Sequence, residues 1–231
     1  MPDFPHDLPR RTTRRVAFSL IALLAGAFAL ALKPAESIAQ KKSAVTEVPV
    51  EELMKPGAFP DIAMGPADAK VTVVEYASLT CPHCAAFETK VFPEFKTKYI
   101  DSGKIRYIFR GFALNPLDQA AQILVQCLDL DKRQSMIEAF YEKQADWAFS
   151  NGNPVPKLFD IAKQAGFTQE SFDKCLKDQA LLDKLTAEQK RASETFGINS
   201  TPTFFINGKR LPEVATLAAF DKMIEPLLAA K

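Results

Sequence analysis

The stretch VVEYASLTCPHCAAFE, residues 73–88, contains Cys81 and Cys84 with one proline and one histidine between them. A run of β-branched and aromatic residues, 71–78, leads into the pair and favours a strand that is buried on both faces. The cysteines therefore follow the end of a central strand. Cysteines at this spacing occur in metal clips, in structural disulfides and in reactive redox pairs, and the function of the chain depends on which of these is present.

The segments after the cysteines alternate between helix and strand. Residues 85–99 carry an apolar side chain at every fourth position, which predicts an amphipathic helix, and Pro93 removes one backbone donor, so we expect a kink there. Residues 104–112 alternate apolar and basic side chains and predict a second strand. These elements together indicate an α/β fold.

The second half of the chain begins with a long helical block. Apolar stripes recur from residue 116 to about residue 196, which predicts several helices between strands. A strand at Thr203–Ile206 and a tight turn at Asn207-Gly208 then give the sequence signal of a hairpin. A final helix over residues 217–228 is expected to close the domain.

The first cysteine is the better candidate for the reactive thiol. If Cys81 caps the helix, Pro82 takes the first helical position, where a missing N–H is tolerated. The sulfur of Cys81 then faces free backbone N–H groups and the positive end of the helix dipole, and His83 can add positive charge or a donor. Cys84, one turn further, is expected to be more buried and less reactive. We therefore assign attack to Cys81 and resolution of the mixed disulfide to Cys84.

Two other interpretations of the pair are weaker. A zinc site needs further ligands, whereas Cys127 and Cys175 are isolated and the other histidine, His6, lies near the N-terminus. An exported copper carrier is a related hypothesis, although no methionine or histidine cluster flanks the pair. A purely structural disulfide would be strained at this spacing, and strained disulfides tend to be labile or catalytic. We expect a redox pair, with no metal and no cofactor.

Residues 1–39 have the pattern of an export signal. Arginines at positions 10, 11, 14 and 15 precede an apolar run from Val16 to Leu32, and Ser37 and Ala39 provide a cleavage site of small residues. An uncleaved membrane anchor is the alternative, because the apolar run reaches the lower limit for crossing a bilayer. Residues 40–65 are expected to form a linker or leader strand. Either way, most of the chain is predicted to lie outside the cytoplasm.

The charge balance indicates which partners to expect. The chain has 29 basic and 28 acidic residues, well mixed along its length, and a formal net charge of +1. Such a balance gives no electrostatic argument for binding nucleic acid. We therefore expect no nucleic-acid partner.

The sequence resembles the DsbA-type thiol:disulfide oxidoreductases, which are thioredoxin-fold proteins with an inserted helical domain. The resemblance covers nearly all of residues 60–230 and depends on EYASLTCPHC, on the helical block and on TPTFFING. It implies a thioredoxin-like domain formed by residues 66–115 and 197–231, with residues 116–196 as the inserted helical domain. It also implies a monomeric, periplasmic oxidase that donates its disulfide to reduced or unfolded exported polypeptides and is reoxidised by a quinone-linked membrane partner.

The resemblance implies roles for three further residues. Pro202 matches the cis-proline loop of the family, and a cis bond after Thr201 would expose backbone for β-type pairing with an extended substrate. An ordinary trans proline at the start of a strand is the alternative. Glu75 matches the buried acid of the family and would exchange a proton with Cys84, the alternative being a carboxylate paired with a lysine in the core. Thr201 differs from the valine of the best-known oxidases and looks like the threonine of the isomerase branch, so an isomerase or a reductase is the alternative function.

The remaining cysteines suggest a second disulfide. Cys127 and Cys175 each lie on an apolar helical stripe of the helical block. Outside the cytoplasm two neighbouring thiols are oxidised, so we predict a structural bond between them. Two separate buried thiols are the alternative, because the sequence does not fix their distance.

Overall fold

The computed structural model of the chain describes residues 45–212 and 214–230. The predicted export signal, residues 1–39, lies outside these residues. Within the described ranges no helix is both long and apolar enough to cross a membrane.

Five strands form one mixed sheet in the order β1-β3-β2-β4-β5. The strands are β1 (Ile62–Met64), β2 (Val71–Ala77), β3 (Ile105–Gly111), β4 (Thr203–Ile206) and β5 (Lys209–Arg210). Strand β2 lies at the centre, parallel to β3 and antiparallel to β4, with Tyr76 paired to Thr203. Its carboxyl end, where the two cysteines follow, is therefore flanked by strands on both sides.

The described part of the chain also contains ten α-helices and one π-helical turn. These are α1 (Val50–Leu53), α2 (Pro82–Lys90), α3 (Phe92–Phe95), the π-helical turn Lys96–Ile100, α4 (Pro116–Gln126), α5 (Leu130–Glu142), α6 (Gln144–Ala148), α7 (Val155–Gln164), α8 (Gln169–Leu176), α9 (Gln179–Thr195) and α10 (Leu217–Ala229). Six of them, α4 to α9, lie between β3 and β4, where the sequence predicts a helical block.

The predicted kink near Pro93 is confirmed. Helix α2 ends at Lys90, the next residue Val91 has φ −111° and ψ −43°, and α3 begins at Phe92. Proline has no N–H for the carbonyl four residues earlier, so the helical hydrogen bonds are interrupted at this point. The chain then continues into the π-helical turn, which the apolar spacing did not predict.

Both faces of the central strand are buried in hydrophobic cores. Strand β2 contributes Val73 and Ala77 to one core and Val74 and Tyr76 to the other. Side chains of a strand alternate between faces, so Glu75 lies on the same face as Val73 and Ala77. That face packs against α2 and α10, whose Phe rings form an aromatic cluster. The acid of β2 is thus placed beneath the helix that carries both cysteines.

The predicted hairpin is confirmed, and the leader segment pairs with its edge. Asn207 has φ 45° and Gly208 has φ 82°, as a tight turn of this kind requires. The Val48 N–H donates to the Gly208 carbonyl over 2.8 Å, and the Arg210 N–H donates to the Thr46 carbonyl over 2.8 Å. A Cβ added at Gly208 would lie 2.2 Å from the Val48 carbonyl oxygen, so glycine is needed there for two reasons.

The segment predicted as a linker, residues 40–65, contains regular structure where it is described. Helix α1 spans four residues, and β1 pairs antiparallel with β3, placing Ile62 opposite Phe109. The sheet therefore begins before residue 66, the predicted start of the domain. Elements of three or four residues are too short to show a hydrophobic period, which explains why the sequence pattern missed them.

Candidate functional site

Cys81 occupies the N-cap of α2, and Pro82 takes the first helical position. The backbone of Cys81 is extended, with φ −83° and ψ 120°, while its carbonyl already accepts the N–H of Ala85 over 3.1 Å. A proline at this position removes a donor that would have no helical partner. The remaining N–H groups of the first turn are left free to face the Cys81 sulfur, as the sequence predicts.

Hydrogen bonds hold the pKa of the Cys81 thiol at about 5, well below its ordinary value. The largest cause is the hydrogen bond from the Cys84 side chain. Burial opposes it, since only 5% of Cys81 is exposed, but the Thr201 side chain and the backbone N–H groups of Cys84 and His83 lower the pKa further. Cys81 is therefore a thiolate at neutral pH in the reduced protein.

His83 supplies a backbone donor that lowers the pKa of Cys81, and a contribution from its side chain stays a prediction. Its imidazole is exposed to solvent. The imidazole borders a groove beside the cysteines. The side chain is therefore available to a molecule that binds there.

Cys84 is the less reactive thiol. It is 1% exposed, and burial raises its pKa far above the ordinary thiol range. The hydrogen bond to Cys81 and the nearby negative charge of Glu75 act in the same direction. The two thiols of the pair therefore have opposite preferences, because one is stable as the thiolate and the other as the neutral thiol.

The peptide bond between Thr201 and Pro202 is cis. The Cys81 Sγ lies 3.3 Å from the Thr201 carbonyl oxygen, which accepts a hydrogen bond when Cys81 is protonated, so this bend lies directly against the reactive sulfur. The two residues also line a groove with a volume of about 720 Å³. Its apolar lining comes from α2, from the start of β4 and from the segment before α10, and includes Ala86, Phe87, Val91, Phe204, Leu211, Pro212, Val214 and Ala215.

Glu75 is buried without a basic partner among its described hydrogen bonds. The Tyr107 hydroxyl donates to its Oε2. Burial raises the pKa of Glu75 well above its usual range, the hydrogen bond from Tyr107 partly opposes this, and the negative charges of Glu88 and Cys81 add to it. The neutral acid is therefore favoured, as expected for a proton donor rather than for a paired carboxylate.

Side chains of the helical block hold the loop that leads to Cys81, and the sequence analysis missed them. The Gln144 Nε2 donates to the carbonyls of Leu79, over 2.8 Å, and Cys81, over 3.0 Å. The Tyr141 hydroxyl donates to the Ser78 carbonyl over 3.2 Å. Both side chains are buried, so their donor groups depend on these carbonyls for hydrogen bonds that water cannot provide. The position of the reactive cysteine therefore depends on the helical block.

Asp118 supports the same loop from α4. Its Oδ1 accepts the N–H of Leu79 over 3.0 Å, and its Oδ2 accepts the N–H of Leu114 over 3.0 Å. Burial raises the pKa of Asp118, while these hydrogen bonds act against that rise. The Asn115-Pro116 pair is typical of a helix start, and the Asn115 Oδ1 accepts the Asp118 N–H as an N-cap residue does. The contact between Asp118 and Leu79 has no such signal in the local sequence.

Cys127 and Cys175 are joined by a disulfide with a Cα–Cα distance of 6.2 Å. Cys127 follows the last residue of α4, and Cys175 lies in α8. The bond therefore connects two helices of the helical block.

Comparison with known proteins places these features in context. Residues 58–226 match the family model described as Thioredoxin. The chain is 37% identical over 169 residues to a Rickettsia bellii protein named as a protein-disulfide oxidoreductase, and the match covers 71% of this chain and 65% of that relative. A second such relative, from Rickettsia felis, is 36% identical, with 60% of its length covered. The chain thus spans less than two thirds of these relatives.

Solved structures show the same fold. The crystal structure of Wolbachia pipientis α-DsbA1 matches with a TM-score of 0.70 and 32% identity, covering 78% of this chain and 96% of that one. The structure of oxidised BdbD from Bacillus subtilis matches with a TM-score of 0.68 and 23% identity, covering 81% of this chain and 99% of that one. The second likeness is one of fold alone.

Proposed function

The chain belongs to the DsbA family of thioredoxin-fold proteins, and from this premise we propose that it is a thiol:disulfide oxidoreductase that donates the Cys81–Cys84 disulfide to other polypeptides. The observation that carries the proposal is the asymmetry of the two thiols, with the pKa of Cys81 lowered to about 5 and the pKa of Cys84 strongly raised. A thiolate that is stable at neutral pH stabilises the reduced protein. Its disulfide is therefore a stronger oxidant than one made from ordinary thiols.

The asymmetry assigns each sulfur a role in the exchange. A substrate thiolate attacks the Sγ of Cys81, a mixed disulfide forms, and the bond to Cys84 breaks. Cys84 leaves as a thiolate that its buried surroundings disfavour, so it takes the proton of the neutral Glu75, the acid whose ionised form raises the pKa of Cys84. A second substrate thiolate then attacks the substrate sulfur of the mixed disulfide, and Cys81 leaves as the stable thiolate. The substrate loses two electrons, and the cysteine pair gains them.

The groove beside Cys81 supports an extended polypeptide as the substrate. Its largely apolar lining suits side chains that a folded protein would bury, without selecting a particular sequence. Thr201 lies against the Cys81 sulfur just ahead of β4, and its backbone is proposed to pair with an extended strand of the substrate. Reduced or unfolded polypeptides are therefore the proposed substrates, with Thr201 and Pro202 as their contact beside the reactive sulfur.

We place this activity outside the cytoplasm, in the periplasm. The support is the export pattern of residues 1–39, together with the disulfide between Cys127 and Cys175, since such bonds persist in oxidising compartments. An oxidase that has donated its disulfide must be reoxidised, and a quinone-linked membrane protein is the proposed partner. The protein is proposed to act as a monomer.

The proposal is tested by oxidative refolding of a reduced, unfolded ribonuclease. The oxidised protein should form disulfides in this substrate in stoichiometric amounts, and Cys81→Ser should abolish the reaction. Cys84→Ser is the informative counterpart, tested with ribonuclease that carries scrambled disulfides. The Cys81 thiolate can attack a substrate disulfide and release one substrate thiol, but no Cys84 thiol remains to resolve the product, so mixed disulfides should accumulate. An active Cys81→Ser variant would contradict the assignment of the two sulfurs.

Isomerase or reductase activity is the second candidate, because Thr201 precedes the cis-proline where the best-known oxidases of the family have valine. The reduction potential distinguishes these activities. A value near the thioredoxin value of about −270 mV would favour a reductase, and one near the DsbA value of about −120 mV an oxidase. Refolding of ribonuclease with scrambled disulfides tests the isomerase directly. A metal-carrying thioredoxin-fold protein is the remaining alternative, and copper or zinc that co-purifies with the protein would support it.

A further inference from the structure

The exchange described above leaves a second buried acid without a role. Glu88 lies on α2 four residues after Cys84, which places the two side chains on the same face of the helix, and it is 7% exposed. Four other titratable groups interact with it electrostatically or lie against its neighbours: Glu75 on β2, Tyr107 on β3, and Glu138 and Tyr141 on α5. Glu88 therefore lies among the groups that surround the buried thiol.

Glu75 has no direct access to water. It is 2% exposed, and the Tyr107 hydroxyl occupies its Oε2. The proton that it gives to Cys84 must nevertheless be replaced after each exchange, and must leave again when the pair is reoxidised. A path for this proton has to run through neighbouring polar groups.

Gln134 connects Glu88 to the surface. Its Nε2 donates to the Glu138 Oε1 over 3.1 Å and lies 3.5 Å from the Glu88 Oε1. Its own Oε1 is buried and has no hydrogen-bond partner among the described residues. Rotation of the amide would turn this acceptor toward a protonated carboxyl group, which is the donor that it lacks. Glu138 is half-buried and so extends the cluster to solvent.

We propose that Glu88 transfers a proton between Glu75 and water at the half-buried Glu138 end of the cluster, with Gln134 holding the carboxyl groups of Glu88 and Glu138 together, and that Glu88 acts on the cysteine pair through Glu75. This inference depends on the proposed function. When Cys84 leaves as a thiolate it takes the proton of Glu75, Glu88 returns a proton to Glu75, and water reprotonates Glu88 at the Glu138 end. Reoxidation reverses each step. One proton enters with each disulfide that is donated, because Cys81 remains a thiolate.

The protonation state of Glu88 fits this role. Burial raises its pKa to about 8, and the charge of Glu138 adds to the rise. At neutral pH most molecules therefore hold a proton on Glu88. Above about pH 8 the donor is lost, so the relay slows.

The experiment compares Glu88→Gln with Glu142→Gln, which changes an exposed glutamate on α5 one turn beyond Glu138. Reduction of the oxidised protein by dithiothreitol is followed by rapid acid quench across a range of pH. With rates expressed per dithiothreitol thiolate, we expect Glu88→Gln to slow the reaction by about tenfold at neutral pH and to remove the decline above about pH 8, a smaller effect than the loss of a direct general acid. Its reduction potential at neutral pH should stay at the wild-type value, because Glu88 is then neutral in both redox states.

Two results would overturn the inference. If Glu88→Gln shows the wild-type pH profile, the relay is contradicted and the proposed exchange is not affected. If the wild-type protein does not react with the dithiol, both the relay and the proposed exchange are contradicted. Glu138→Gln provides a second test away from the core, and it should slow the reaction in the same direction but less strongly. Glu142→Gln should behave as the wild type.

Discussion

Replacing Thr201 with valine keeps the volume of the side chain and removes a buried hydroxyl group that lowers the pKa of Cys81. This hydroxyl has no hydrogen-bond partner among the described residues, so we attribute its effect to donation to the sulfur once Cys81 is ionised. A hydrogen bond to a charged group contributes about 1.5 to 3 kcal/mol, and one pKa unit corresponds to about 1.4 kcal/mol. With the lower figure, the pKa of Cys81 should rise from about 5 to about 6. The free energy of the reduced protein at neutral pH then rises by about 1.3 kcal/mol. The reduction potential should fall by about 30 mV.

The same arithmetic gives the contribution of the whole arrangement in the wild type. A pKa of about 5, against an ordinary thiol pKa of about 8.5, stabilises the reduced protein at neutral pH by about 2.7 kcal/mol. This corresponds to about 60 mV toward a stronger oxidant. The thiol pKa is lowered, so the full benefit is present above the ordinary thiol pKa and disappears as the pH falls through about 5.

The assay is equilibration with glutathione redox buffers at several pH values, followed by quantification of free thiols. The potential of the wild type should change more steeply with pH below about 5, where Cys81 also takes up a proton, than above it. In Thr201→Val this change of slope should move upward by about one pH unit. An unchanged potential and an unchanged break would refute the hydrogen-bond explanation of the lowered pKa.

Two further predictions concern stability. Burial raises the pKa of Glu75, so the folded state holds a proton that the unfolded state has released, and the free energy of unfolding should fall as the pH rises above the ordinary carboxyl pKa of about 4.3. Denaturant titrations of Glu75→Gln should show a weaker pH dependence, and an equal slope would mean that Glu75 is ionised in the folded protein. Replacing Cys127 and Cys175 together with alanine removes a bond across a sequence separation of 48 and should cost about 4 kcal/mol in the chain-entropy model, measured as a lower denaturation midpoint. A double variant with wild-type stability would contradict that estimate.

The sequence pattern predicts best where the signal is local. The run of β-branched residues fixes β2 to within one residue, and Asn207-Gly208 identifies the hairpin because only a few residue types tolerate its backbone angles. The cap at Cys81 followed from the proline after it. Each of these features is decided by residues that are neighbours in the chain.

Contacts between segments that are distant in the chain could not be predicted from the sequence in the same way. Gln144 and Asp118 hold the loop before Cys81, yet each is an ordinary polar residue on a helix until the fold brings it to the loop. The backbone N–H of His83 lowers the pKa of Cys81, and this contact also depends on how the first turn of the helix faces the sulfur. Glu88 lay within the quoted stretch, but its burial depends on α5 packing against α2.

The central strand β2 has all its interstrand hydrogen bonds only after β4 has paired with it, and β4 lies near the end of the chain. Tyr76 pairs with Thr203, whereas the neighbour on the other side, β3, follows soon after β2. Pairing over such a sequence distance is slow, because the loop must close before the contacts form. We therefore expect the contact between Cys81 and Thr201 to form late in folding. In a chain that enters a compartment N-terminus first, Cys81 would keep a higher pKa until Thr201 and β4 have entered as well. The oxidising strength of the cysteine pair would then develop only when nearly the whole chain is present.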